Sequence, residues 1–106
     1  MIDEILKTLL KKVKELTLKK GVILANRDKN VEFLREYGLT DECVKEAILQ
    51  LTPRNYRKGP EEDRDGYPGY VYVFKSNYLT EDVIYIKIRY NPPDELVFIS
   101  FHKDNK

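Results

Sequence analysis

Val83-Ile84-Tyr85-Ile86-Lys87-Ile88-Arg89-Tyr90, then Asn91-Pro92-Pro93-Asp94, then Leu96-Val97-Phe98-Ile99-Ser100-Phe101-His102 is the stretch that decides the fold. The first run alternates apolar and polar side chains with period two, the mark of a strand with one buried face. The proline pair makes a tight connection, and a connection that short joins antiparallel strands. Val71-Tyr72-Val73-Phe74 supplies an earlier strand at about 70–75, so the C-terminal half reads as a three-stranded antiparallel meander. Ile84, Ile86, Ile88 and Tyr90 share one face. Val97, Ile99 and Phe101 are expected to join them against the helices. That leaves Tyr85, Lys87, Arg89 and His102 together on the outer face, with antiparallel pairing bringing His102 near Tyr85 rather than Arg89.

Ahead of the meander the period changes to 3.6. Ile2, Ile5, Leu6, Leu9, Leu10, Val13 and Leu16 mark an amphipathic helix over 2–19, which Gly21 stops. Val22-Ile23-Leu24-Ala25 is too short for a helix and reads as a strand. Asn26 is placed to cap a helix at 27–37 with Val31, Phe33, Leu34 and Tyr37 inward and Gly38 at its end. Thr40 caps a third helix that turns Val44, Ala47, Ile48 and Leu51 inward. Pro53, Gly59-Pro60, Gly66 and Pro68-Gly69 make 53–69 read as a long loop, and long ordered loops are often functional. The fold class is therefore α+β, with N-terminal helices packed on a small antiparallel sheet.

At 106 residues the chain is expected to form a single domain, 1–106. It is 42% apolar and 35% charged, so it is globular rather than disordered. A net charge of +1 removes any bulk electrostatic case for nucleic acid, and only local patches can carry one. One cysteine, Cys43, excludes an internal disulfide and a cysteine-based zinc site, and it reads as a small core residue. No run is long enough to span a membrane and none reads as a signal peptide, so the expected location is cytoplasmic.

The outer sheet face gathers the chain's only histidine, a phenol and two cations. Imidazole exchanges protons near neutral pH, and such a set is what metal-free cleavage of an RNA phosphodiester needs. The bland reading is a solvated face with snorkelling cations. Tyr56-Arg57-Lys58-Gly59-Pro60 sets an aromatic beside two cations, able to stack a base and hold a phosphate, or to be an ordinary basic turn. Tyr67, Tyr70, Tyr72 and Tyr78 offer a second stacking surface, though strand propensity explains them nearly as well. Glu61-Glu62-Asp63-Arg64-Asp65-Gly66 begins like a calcium loop but lacks the terminal bidentate glutamate. A role for Asp63 in capping amides or orienting Arg57 or Lys58 fits better.

Leu51-Thr52-Pro53-x-x-Tyr56-x-x-Gly59-Pro60-x-x-Asp63, with Val71-Tyr72-Val73-Phe74, Ile84-Tyr85-Ile86-Lys87 and Ile99-Ser100-Phe101-His102, resembles the MqsR family of toxins from bacterial type II toxin–antitoxin systems. The order of the preceding helices agrees, so the resemblance extends over nearly the whole chain. It implies a RelE-like α+β fold, a metal-free and cofactor-free mRNA interferase activity, mRNA as substrate and a cognate antitoxin, itself expected to bind DNA. It further implies catalytic roles for Lys58, Tyr85, Lys87 and His102, the last standing where the best-known branch has a lysine. A catalytic glutamine of that branch falls near Gly69 or Tyr70, where this chain has none, and Gly-Pro-x-x-Asp looks like a different branch. Joined to the residues themselves, the expectation is an endoribonuclease for single-stranded mRNA, with Tyr56, Arg57, Tyr72 and Arg89 as further RNA contacts. Two rivals stand beside it: a non-catalytic module that binds antitoxin or RNA, and a metal-dependent nuclease built on the acidic loop.

Overall fold

A computed structural model describes residues 2–104, with the side chain of Ile2 outside the description. Three helices, α1 (Ile2–Lys20), α2 (Asp28–Tyr37) and α3 (Asp41–Leu49), precede four strands, β1 (Tyr56–Glu62), β2 (Tyr70–Ser76), β3 (Ile84–Asn91) and β4 (Glu95–Lys103). The strands form one antiparallel sheet in chain order. This is the α+β class expected from the sequence. No helix among the described residues is long and apolar enough to cross a membrane.

In α1, Leu6, Leu9, Leu10, Val13 and Leu16 are buried at helical spacing, whereas Ile5 falls off the stripe and is exposed. Acidic residues in its first turn and Lys19 and Lys20 in its last complement the helix dipole. Helix α2 starts one residue later than the sequence suggests. Arg27, not Asn26, holds the N-cap position, without a side-chain cap. Thr40 does cap α3, accepting from the Cys43 amide at 3.4 Å. Residues 22–25 are not a strand of the sheet. They make one parallel bridge, Leu24 to Phe98, beside β4. The helices and one sheet face enclose Phe74, Ile84, Ile86, Ile88, Phe98 and Phe101, all fully buried. Each such side chain contributes about 1.5–3 kcal/mol over its exposed state.

Two differences from the sequence reading matter for the site. The first is β1, a fourth strand inside the expected loop. Its side chains are mostly exposed and its pairing with β2 is interrupted twice, around Lys58, so no hydrophobic alternation marks it. An edge strand tolerates charge and proline, which explains Pro60 there. Gly59 is required by close approach. At φ +121° its Cβ would lie 2.6 Å from the Val71 carbonyl oxygen.

The second is a bulge in β4. Lys87 pairs with Ser100 but Ile88 pairs with Phe98, which leaves Ile99 as an extra residue. The extra residue inverts the earlier half of the strand. Leu96 and Phe98, not Val97 and Ile99, join the core, while Val97 and Ile99 line the opposite face. Beyond the bulge the reading holds, with Phe101 inward and His102 outward. Asn30 of α2, fully buried, fastens this irregular backbone. Its amide donates to the Ala25 and Ile99 carbonyls at 3.0 Å each and accepts from the Phe101 amide at 2.9 Å.

Candidate active site

Cross-strand register builds the site, because directly paired residues project to the same face about 5 Å apart. One row runs Lys58, Val73, Lys87, Ser100 across β1 to β4, and the next runs Lys75, Tyr85, His102 across β2 to β4. The sheet face away from the core thus brings Lys58, Tyr85, Lys87 and His102 into adjacent rows. The first three line a cleft of about 580 Å³ whose floor includes Val71 and Ile99. His102 stands outside the lining of this cleft, one row from Lys87, and borders a shallow hollow with Lys29, Glu32 and Glu36 of α2.

The Tyr85 and His102 rings stack, with centroids 5.4 Å apart and planes inclined by 21°. His102 Nδ1 lies 2.9 Å from the Lys103 carbonyl oxygen. A carbonyl oxygen only accepts, so this contact puts the proton on Nδ1 and leaves the Nε2 lone pair of the neutral ring available. Lys58 is exposed, and its Nζ lies 3.8 Å from Glu61 Oε1. Lys87 has no carboxylate at ion-pairing distance among the described residues. The arrangement sets a proton acceptor against a phenol, with Lys87 and Lys58 in the adjacent row of the same face.

Of the other candidates, Arg89 lines the same cleft, and Tyr56, Arg57 and Tyr72 do not. Arg89 is 7% exposed. It lies 3.5 Å from both Asp63 and Glu95, donates to the Pro68 carbonyl at 3.0 Å and sits over the Tyr67 ring at 5.0 Å. It therefore pins the β1–β2 loop rather than offering an open charge. Asp63 caps the Asp65 amide at 2.7 Å, as expected, but orients Arg89 instead of Arg57 or Lys58. Arg57 donates to the Arg54 and Tyr56 carbonyls. Tyr56 turns to the core, edge-on to Phe74, with its hydroxyl on the Gly59 carbonyl. Tyr72 is on the helix side of the sheet, beside Tyr70 and Tyr90, and burial raises its phenol pKa. Tyr78 lies elsewhere, its phenol raised by the neighbouring Glu46 carboxylate to which it hydrogen-bonds at 3.3 Å. The tyrosine cluster is therefore three separate features.

Cys43 is half-buried and accepts a hydrogen bond from the Thr40 hydroxyl, which lowers its thiol pKa. Among the described residues no group of three histidine, cysteine or carboxylate side chains is disposed to hold a metal ion. Gly69 admits no side chain, since its Cβ would meet the Tyr90 carbonyl oxygen at 2.7 Å, and Tyr70 faces the helix side. Valine 71 is the neighbouring residue that reaches the cleft. Sequence reasoning missed Arg27 and Arg64, which stand on the cleft wall. Neither belongs to a periodic run, and only the chain's path through space brings them there. It also missed Lys75, although Val71, Val73 and Lys75 alternate on one face.

A family model described as motility quorum-sensing regulator, toxin of MqsA, matches residues 7–103. No curated protein and no solved structure gives a significant match. The match takes in all four strands and most of the three helices, including Lys58, Tyr85, Lys87 and His102, and it implies an antitoxin partner. The chain belongs to the MqsR family of toxins from toxin–antitoxin systems.

Proposed function

We propose that this toxin is an endoribonuclease that cleaves single-stranded mRNA without a metal and is neutralised by its antitoxin. The observation that carries the reading is the stacked Tyr85–His102 pair in register beside Lys87 and Lys58. The 2′-hydroxyl of the RNA attacks the adjacent phosphorus, the bond to the 5′-oxygen breaks, and the products are a 2′,3′-cyclic phosphate and a 5′-hydroxyl. His102 takes part through Nε2, accepting the 2′-hydroxyl proton. Stacking on Tyr85 and the bond to the Lys103 carbonyl hold the ring in one orientation. Positioned acid–base groups typically contribute 10²–10⁴-fold. Lys58 and Lys87 neutralise the charge that builds on the non-bridging oxygens, a contribution often as large. Tyr85 orients the imidazole and offers its phenol to the leaving oxygen.

The test is cleavage of an unstructured RNA by the purified protein in EDTA, beside its DNA copy, which lacks the attacking hydroxyl. Cleavage of the RNA alone, with a cyclic phosphate end, is expected. A need for magnesium or equal cutting of DNA overturns the mechanism. RNA binding without any cleavage makes the chain a non-catalytic module.

A further inference from the structure

Lys75 stands in the same row as Tyr85 and His102, directly opposite Tyr85 in the adjacent strand. Its ammonium lies 2.9 Å from Asp104 Oδ2, the shortest ion pair among the described residues. The two side chains are 24% and 14% exposed, far less than the Lys58–Glu61 pair. The Asp104 amide bonds the Val83 carbonyl at 2.8 Å, which continues the β4 ladder by one residue. Lys75 belongs to β2 opposite Tyr85 and Asp104 follows β4 opposite Val83, so their contact spans β3 between Val83 and Tyr85. The backbone of Lys75 is fixed too, since its carbonyl accepts from the Asn55 side-chain amide at 2.9 Å. Tyr85 is thus flanked by two lysines, Lys87 two residues along its own strand and Lys75 beside it, while Lys58 lies farther out in the row of Lys87.

Resting on the reading of the cleft as an RNA site, we infer that Lys75 is a third phosphate-binding cation, held by Asp104 in the free protein and passed to the RNA backbone on binding. A lysine is a compact charge on a flexible four-carbon stem. Strand neighbours are about 5 Å apart, so a phosphate lying against Tyr85 is within the reach of Lys75 after a change of rotamer. In the free protein Asp104 lowers the cost of keeping a half-buried ammonium poised there. The carboxylate then competes with phosphate for the same ammonium. This predicts opposite signs for the two partners: loss of Lys75 weakens RNA binding, and loss of the Asp104 charge strengthens it. A salt bridge that only straps the sheet predicts the same sign for both.

The experiment measures binding of a 2′-O-methyl RNA oligonucleotide, which cannot be cleaved through its blocked hydroxyl, to the full chain across a salt series. Wild type, K75Q, K75R, D104N and the K75Q/D104N double variant are compared, each with a thermal melt. K75Q is expected to weaken binding roughly fivefold and to reduce the salt slope by about 0.7, the value for one phosphate contact on a single strand. K75R retains binding. D104N tightens it, and in the K75Q background the same change has little effect, because the double cycle isolates the coupling between the two residues. If K75Q leaves affinity and slope unchanged, or if D104N weakens binding as K75Q does, the inference is overturned. If D104N tightens binding equally with and without Lys75, only general charge is at work and the inference also fails. Binding without cleavage of all-RNA by wild type removes the nuclease reading while leaving Lys75 as an RNA contact. No binding by wild type removes both.

Discussion

Phe101 and His102 are neighbours in β4 with opposite duties, and substitution should separate them. Phe101 is fully buried, and Phe101→Ala should destabilise by about 3–5 kcal/mol, read as a lower denaturation midpoint. His102→Ala loses one ring stack and one hydrogen bond, so stability should fall by only about 1–2 kcal/mol. Its cleavage rate should fall about 10²-fold or more. A His102→Ala protein that cleaves like wild type at every pH transfers the proton role to Tyr85 or a lysine. Tyr37 gives a prediction of another kind. Its phenol donates to the Asp82 carboxylate, and that hydrogen bond, followed by burial, pushes its pKa to about 12. The folded pKa exceeds the ordinary phenol value of about 10. The folded state therefore favours the neutral phenol. The resulting stability is complete below about pH 10 and is lost as the pH rises through about 12. Ultraviolet titration should show one tyrosine ionising after the rest, and Tyr37→Phe should abolish that late step and shift alkaline unfolding to lower pH. Simultaneous ionisation of all the tyrosines would contradict this.

At the scale of the element, strand β1 depends on Gly59. Gly59→Ala forces a methyl group against the Val71 carbonyl and the Tyr72 backbone at positive φ. It should cost about 1–3 kcal/mol and loosen the edge that presents Lys58. Hydrogen exchange confined to 56–62 would report it, and unchanged protection there would contradict it. The same strand shows where the sequence stops being legible. β3 could be read residue by residue because its isoleucines alternate with Tyr85, Lys87 and Arg89, and α1 because its leucines keep helical spacing. β1 has no buried stripe to reveal it. In β4 the run from Leu96 to Phe101 is almost wholly apolar, so nothing in its pattern marks Ile99 as an extra residue. Asn30 reads as a polar residue on a helix surface until the bulge it fastens is known. The Tyr85–His102 pairing lay on the readable side of the bulge, and so this juxtaposition within the candidate site was legible. Arg89 was correctly placed on its face. Its two carboxylate partners come from the β1–β2 loop and the start of β4, which no periodicity connects to it.

At the scale of the whole molecule, the proposed cleavage of mRNA predicts that production of the toxin without its antitoxin arrests bacterial growth. Growth curves at confirmed soluble expression measure this, and unimpaired growth favours the non-catalytic module. The sheet turns two different sets of side chains to its two faces. Phe74, Ile86, Ile88 and Phe98 look toward the helices, and Lys75, Tyr85, Lys87 and His102 look away. Alternation along a strand therefore writes two nearly independent messages in one stretch of chain. A harmless form of the toxin can be made by rewriting the outward message alone. Tyr85→Phe with Lys87→Gln should give such a form, a protein that bacteria can produce in quantity and that retains the inward half of its architecture for structural work with its antitoxin.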